Sequence, residues 1–544
     1  MLPEPVTLPA CLARAATRWP EAEAFVAPDG RRTWSALADD VRRTANALAR
    51  AGVGRGDHVG LLLGNGLPWV TTFYACATLG AVTVPLSTRF RRDELGHCLR
   101  QADVSTLVFA GTFLTIDFAG LLAEIEPAIA STLPGTRLPR LRRAIVVGEG
   151  PRPAGAIRMG TLLTEADRHG EGADGVEASD LLLIQFTSGT TAFPKGVALT
   201  HRNMLMNADA AAGRIGVRTD DRYFSIRPFY HVAGTTLSLL VALTRGACLL
   251  TLPTFDVARA LDVLADERCT LTSGNDTIFQ MLMAHERFEA SRFSLRGGWA
   301  AAGPEVMRQI ASTMRVPYMC NAYGLSEASP NVVMSSWDDP LEWRTEGWMH
   351  PHPGIDVRVA DPMGTPVPAG EVGEIQVRGW NVMRGYYGLP DETAQAFTAD
   401  GFLKTGDLGV RRADGRLRMV GRAKEMFRVG GENVSPAEVE GVLLSHPDVQ
   451  MAQVVGVPDA RLGEVPAAYV VLRPAARATP DELIGWCRTR CANFKVPRHV
   501  RLVPSFDDIG MTGSAKVQRH KLRAHALCDL GLEPRADAPG GHRA

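Results

Sequence analysis

Hydroxyls, glycines and a single lysine crowd into Thr187-Ser188-Gly189-Thr190-Thr191-Ala192-Phe193-Pro194-Lys195-Gly196, directly after the apolar stretch Leu181 to Phe186. A loop of this composition, leaving a buried strand, can wrap phosphate oxygens with backbone amides, side-chain hydroxyls and one ammonium. It is not the Walker A pattern, because Pro194 stands where that motif has glycine and Gly196 where it needs serine or threonine. Only six of the 59 basic residues are lysines: Lys195, Lys404, Lys424, Lys495, Lys516 and Lys521. Lysine thus survives where an arginine would not serve. An ammonium is a compact point charge that can hold oxygens of two molecules at once, which a planar guanidinium fork cannot imitate.

Three further groups follow in chain order. Asn321-Ala322-Tyr323-Gly324-Leu325-Ser326-Glu327 carries a carboxylate of the kind a hard dication bridging phosphate oxygens needs beside its waters. Thr405-Gly406-Asp407 offers a carboxylate that can accept two adjacent hydroxyls, and Gly421-Arg422-Ala423-Lys424 comes soon after. Met511-Thr512-Gly513-Ser514-Ala515-Lys516 places a lysine in a small polar loop near the end. Taken together, in this order, the segments resemble the signatures of the adenylate-forming superfamily, which includes acyl-CoA synthetases, adenylation domains of peptide synthetases and luciferase. The resemblance extends outward to Arg32-Thr33-Trp34, Gly54-Arg55-Gly56-Asp57 and Phe494-Lys495-Val496-Pro497.

The resemblance implies roles for particular residues. Thr187, Ser188, Gly189, Thr190, Thr191 and Lys195 would hold the phosphates of ATP, Tyr323 would pack on adenine, and Ser326 keeps the hydroxyl of the usual threonine. Glu327 would hold Mg2+, while Asp407 and Arg422 would bind the ribose. Lys424 would be the pivot between two lobes. Lys516 would be the catalytic lysine, neutralising charge as an acid oxygen attacks the α-phosphate. His231, in Arg227-Pro228-Phe229-Tyr230-His231, matches the gate of members that use coenzyme A, and Gly430-Gly431-Glu432 resembles their pantetheine-passing turn.

The expected function is ATP-dependent adenylation of a small aromatic or polar acid, then transfer to coenzyme A as second substrate. An alternative is adenylation of nitrite and transfer to an arylamine, forming a diazo group. A third reading, a non-catalytic nucleotide sensor, is opposed by the joint retention of Glu327, Asp407, Arg422 and Lys516. The chain also departs from the pattern. Ala192 replaces a phosphate-loop glycine, and Gly510 and Ala515 replace a proline and a glycine around the lysine loop. In Thr270-Leu271-Thr272-Ser273-Gly274-Asn275-Asp276-Thr277, Asp276 takes the place of a near-standard proline in the acyl-pocket strands; a buried carboxylate there needs a partner and disfavours a long alkyl substrate. Trp299-Ala300-Ala301-Ala302-Gly303-Pro304 replaces a GGAP-like stretch.

Positioning such groups requires a large α/β framework. At 544 residues more than one domain is expected. The spacing predicts a helix near Leu37 to Ala51, a strand at His58 to Leu63, a helix near Pro68 to Gly80 and a strand at Ala81 to Pro85, a βαβ rhythm that builds mostly parallel sheet. From about Gly354, short alternating strands and turn signals read as a β-subdomain. Beyond it, a helix at Ala437 to Ser445, strands at Gln450 to Val457 and Ala467 to Leu472, and a helix at Thr479 to Ala492 read as a small α+β lobe. The expected division is residues 1–422 as the large domain, 423–530 as a small mobile domain carrying Lys516, and 531–544 as a disordered tail.

Composition narrows the partners. Lys plus Arg and Asp plus Glu both total 59, so no net charge favours nucleic acid. The N-terminal stretch lacks the apolar run of a secretory signal, and the apolar region Thr235 to Pro253 is broken by Arg245, short of the ~18 residues of a membrane span. A cytoplasmic location is expected. Nine cysteines without a CxxC pair indicate neither a disulfide framework nor a zinc site; Cys487 and Cys491 read as half-buried helix residues.

Overall fold

The computed structural model describes residues 6–165, 175–187, 194–512 and 516–532. Leu37, Val41 and Leu48 recur on one face of the helix Trp34–Arg50, whose first turn is capped by the Thr33 hydroxyl accepting from Ala36 N at 3.2 Å. Next comes the strand His58–Leu62, then the almost wholly buried helix Leu67–Thr78, then Val82–Pro85 parallel to the first strand. Repetition of this unit produces an eight-stranded sheet in which Thr106–Ala110 and Arg143–Val147 continue the parallel order. Leu181–Phe186 joins it parallel to Val82–Pro85, and Gly196–Thr200 returns antiparallel.

A nine-stranded sheet stands beside it, with Arg222–Phe224, Leu271–Asn275, Gly297–Ala301 and Tyr318–Gly324 running parallel. Parallel strands of this kind end together, so the loops that follow them gather at one edge, where ligands bind in open α/β sheets. Ile355–Ala360, Val372–Gly379, Leu403–Arg411 and Leu417–Arg422 form the antiparallel β-subdomain. The small lobe is a five-stranded sheet built on the long hairpin Val449–Asp459 and Gly463–Leu472, with His499–Leu502 added in parallel. Its buried apolar residues, from Phe427 to Ala526, make a core of their own.

Two expectations need correction. The helix expected to reach Ala492 is Pro480–Arg488: the chain leaves it for a one-turn helix at Asn493–Lys495 that feeds the strand His499–Leu502. Cys487 is buried in that helix, whereas Cys491 lies beyond its end and donates its thiol to Cys487 O. The sequence reading also passed over the helix Arg519–Asp529, which buries only Leu522 and Ala526, too narrow a stripe to be read as periodic. Within the expected tail, residues 533–544 lie outside the described residues. Thr235 to Pro253 is a buried helical turn and strand, and no described helix is long and apolar enough to cross a membrane.

Candidate active site

The stem of the glycine- and threonine-rich loop is closed by Thr187 N donating to Lys195 O at 3.0 Å. Ser188, Gly189, Thr190, Thr191 and Ala192 lie outside the described residues. Lys195 Nζ stands 5.1 Å from the ring centroid of Tyr386, whose strand residue pairs with Val197. The Tyr386 hydroxyl in turn donates to Glu327 Oε1 at 2.9 Å. Burial and the adjacent Glu327 carboxylate push that hydroxyl well above its ordinary pKa, so it stays a donor. Glu327 sits in the one-turn helix Ser326–Ala328, with Ser326 beside it. Tyr386 thus couples the phosphate-loop stem to the candidate metal ligand. Sequence reading missed it, although Gly385-Tyr386-Tyr387-Gly388 is a signal: Gly388 at φ +66 marks a turn where glycine is favoured.

Among the described residues no three His, Cys, Asp or Glu side chains gather as a metal cage. Glu327 therefore fits a cation that takes its remaining ligands from phosphate oxygens and water, the way Mg2+ is usually held.

Asp407 and Arg422 face each other across neighbouring strands, with Arg422 Nε 3.3 Å from Asp407 Oδ1. Tyr323 OH donates to Asp407 Oδ2 at 2.8 Å. The hydroxyl of Tyr323 is thereby committed to Asp407. Gly406 takes φ +69, and its N–H donates to Glu374 Oε1 at 3.0 Å while Thr405 Oγ1 donates to Ile375 O at 2.6 Å. Threonine and glycine are needed here to turn the strand and aim the buried aspartate. Burial raises the Asp407 carboxyl's pKa, opposed by Arg422, the Tyr323 hydroxyl and Lys516.

Lys516 comes from the small lobe, yet its charge acts on Asp407, Arg422 and His231 of the large lobe. The residue is exposed, yet protein crowds its ammonium, and that crowding, with Arg422 and Arg519 nearby, lowers its pKa to about 8. The lysine loop is held by Thr512 N donating to Lys516 O at 2.8 Å and by Lys516 N donating to Thr512 Oγ1 at 3.0 Å. Three residues on, Arg519 pairs bidentately with Glu440 at 2.7 and 2.9 Å and with Glu425 at 2.8 Å. That fork anchors the loop to the small lobe.

His231 is half-buried, its Nδ1 accepting from Ala233 N at 3.1 Å, and burial lowers its pKa to about 4. It is neutral at pH 7 and suits a gate or hydrogen-bonding role rather than that of a proton donor. Lys424 is exposed in the turn between Leu417–Arg422 and Phe427–Val429. Gly430 and Gly431 take φ +60 and +94 in an exposed turn of the small lobe, a conformation that favours glycine.

Asp276 is not a strand residue: it opens the helix Asp276–Ala284, which Asn275 caps by accepting from Ile278 N at 3.0 Å. Aspartate suits a first helical turn, as proline does. Its partner is a backbone amide, Gly303 N donating to Oδ1 at 2.9 Å, and the more distant charges acting on it are Glu440 and Arg519 of the small lobe. Burial raises its pKa to about 6. Asp276 therefore clamps the loop before Pro304 at the lobe boundary. Gly510 adopts φ +126, which a proline cannot, so this loop enters differently from the resembled pattern. Ala515 lies outside the described residues. Ala302 O accepts from Asn321 Nδ2 at 3.0 Å, tying the segment that replaces the GGAP-like stretch to the strand of Tyr323.

A phosphate-loop stem, a carboxylate-arginine pair beside a buried tyrosine, and a lysine brought in by a second lobe define an adenylate-forming enzyme. The chain belongs to the AMP-binding enzyme family: residues 12–387 match the AMP-binding enzyme domain and 438–516 the AMP-binding enzyme C-terminal domain, and it is an AMP-forming ligase. It is 36% identical over 533 residues to a 7a-methyl-1,5-dioxo-octahydro-1H-inden-4-yl propanoyl:CoA ligase of Rhodococcus jostii, covering 96% of this chain and 99% of that one. It is 32% identical over 547 residues to the human mitochondrial medium-chain acyl-CoA ligase ACSF2, covering 97% and 88%. The crystal structure of the anthranilate CoA ligase AuaEII in complex with anthranoyl-AMP superposes with a TM-score of 0.87 at 25% identity, covering 98% of this chain and 99% of that chain.

Proposed function

We propose that this enzyme adenylates a small polar or aromatic acid with ATP, releases pyrophosphate, and transfers the acyl group to coenzyme A. The observation that carries the reading is Lys516 of the small lobe acting on Asp407 and Arg422 of the large lobe, an arrangement suited to the adenylation step. In this reading Thr187 to Thr191 and Lys195 hold the phosphates, Tyr323 and Ser326 bound the nucleotide, and Asp407 with Arg422 takes the ribose. Bound Mg2+ at Glu327 would supply positive charge to the phosphates. Lys516 offsets the negative charge that builds as the acid oxygen attacks phosphorus, and a neutral His231 stands beside the path by which the thiol arrives. CoA ligases among the relatives support the acceptor, and none of those relatives favours nitrite or an arylamine.

The test is a panel of acids, with nitrite plus aminobenzoates included, scored for AMP and pyrophosphate release with and without CoA. Product that forms only with CoA supports the reading. CoA-independent turnover of nitrite with an amine would sink it.

Lysine ionisation sets an expected pH limb. Because the Lys516 pKa is lowered to about 8, the ammonium is present below that pH and lost as pH rises through it, so kcat/KM for ATP should fall above pH about 8. Lys516→Arg, which stays protonated, should remove that limb.

We further place the lobe boundary at 422/423 with Lys424 as pivot. Lys424→Pro fixes φ near −65° and should leave adenylation close to wild type while slowing transfer to CoA ~10-fold or more, since the lobe must rotate between steps. Equal slowing of both half-reactions would remove Lys424 from the pivot.

A further inference from the structure

Arg227 is the feature of the acyl side that the adenylation chemistry leaves unused. It is only 7% exposed, yet no carboxylate pairs with it among the described residues. Its guanidinium carbon lies 5.1 Å from the Trp299 ring centroid, Nη2 reaches Gly274 O at a long 3.4 Å, and Nε has no partner among the described residues. Trp299 is held by its indole N–H donating to Tyr223 OH at 2.8 Å, and the Ser225, Ser238 and Ser273 hydroxyls are bonded to one another.

Arg227 lies close enough to the reacting centre for its charge to act on His231, the same imidazole that feels Lys516. Both cations act on one histidine, and only Lys516 has a role in adenylation. Burial lowers the guanidinium's pKa to about 10, so it keeps its charge at neutral pH. A charge held out of water without a counterion is costly, and a planar fork with unused N–H groups matches a carboxylate better than any neutral acceptor.

We infer that Arg227 is a specificity-determining residue of the acyl site, and that the acid this enzyme activates is a dicarboxylate whose second, unreacted carboxylate docks on the Arg227 guanidinium. The inference rests on the CoA-ligase reading and adds the substrate class to it. The first carboxylate is adenylated near Lys516 while the second neutralises the buried cation. A monocarboxylic acid of the same length leaves Arg227 unpaired.

The experiment measures CoA thioester formation by the full chain with aliphatic and benzene dicarboxylic acids, each against the monocarboxylic acid in which a methyl group replaces the second carboxylate. Wild-type kcat/KM should favour the dicarboxylate of the best pair by ~10⁴-fold, the scale on which a site built for a polar group rejects an analogue without it. Arg227→Leu should bring that ratio to about 1 with the KM for ATP unchanged, and Arg227→Lys, which keeps the charge, should retain part of the preference. The wild-type ratio needs no variant, so poor folding of Arg227→Leu would not shield the idea. Monocarboxylic acids converted to thioesters as well as or better than their dicarboxylic partners, or a ratio unmoved by Arg227→Leu, overturns the role of Arg227 and leaves the ligase reading standing. AMP release from these acids with no CoA thioester overturns the ligase reading itself, and the substrate assignment with it.

Discussion

Lys516→Ala is expected to slow adenylate formation by ~10²–10³-fold, the usual cost of removing one preorganised donor from a developing anion. Transfer to CoA from a chemically supplied acyl adenylate should change little. The asymmetry follows from where the lysine is held: its loop is fixed to the small lobe through Arg519, Glu440 and Glu425, so it enters and leaves the site with that lobe. The turn at Gly430 and Gly431 belongs to the same lobe and lies in an exposed strand connection in the present arrangement. One rotation would exchange the lysine for the glycine turn. Pyrophosphate exchange reads the first half-reaction, and thioester formation from added adenylate reads the second. Equal losses in both would mean that Lys516 acts through folding or general binding, and the two-step exchange would lose its main support.

Asp407→Ala should weaken ATP binding by ~3 kcal/mol, about two charge-assisted hydrogen bonds to the ribose, or on the order of 10²-fold in Kd. The carboxylate is buried and already engaged by the Tyr323 hydroxyl at 2.8 Å and by Arg422 at 3.3 Å. Its removal strands both partners as well as the nucleotide. Asp407→Asn separates the effects: it retains an acceptor for Tyr323 and loses only the charge, so its loss of affinity should be smaller. Nucleotide titration by calorimetry gives both values. An affinity unchanged in the alanine variant would exclude Asp407 from the nucleotide site.

Several features were legible because they rest on local chemistry. The strand Leu181–Phe186 runs where its apolar stretch predicted, and the turn in Thr405-Gly406-Asp407 follows from a glycine held at φ +69. The βαβ rhythm of the first 180 residues translated into parallel sheet, and the small-lobe hairpin Val449–Asp459 with Gly463–Leu472 extends the two strands expected there. The scarcity of lysine drew attention to Lys195, Lys424 and Lys516 before any position in space was known. Residue type limits backbone conformation and side-chain chemistry within a few positions, and such limits can be read in order along a chain.

Pairings across the sheets were decided only by the tertiary structure. Tyr386 reaches Glu327 from 59 residues away, Tyr323 reaches Asp407 from 84, and Asp276 finds Gly303 in place of the acyl-side environment expected of it. Arg227 looked like one residue in an aromatic string until burial without a counterion set it apart. Strand order and the path of each connection determine such meetings, and neither is encoded in any single segment. Desolvation behaves the same way. The lowered pKa of Lys516 and the raised one of Asp276 come from walls assembled out of distant parts of the chain, so the charge state of the site is a property of the folded molecule and not of its motifs.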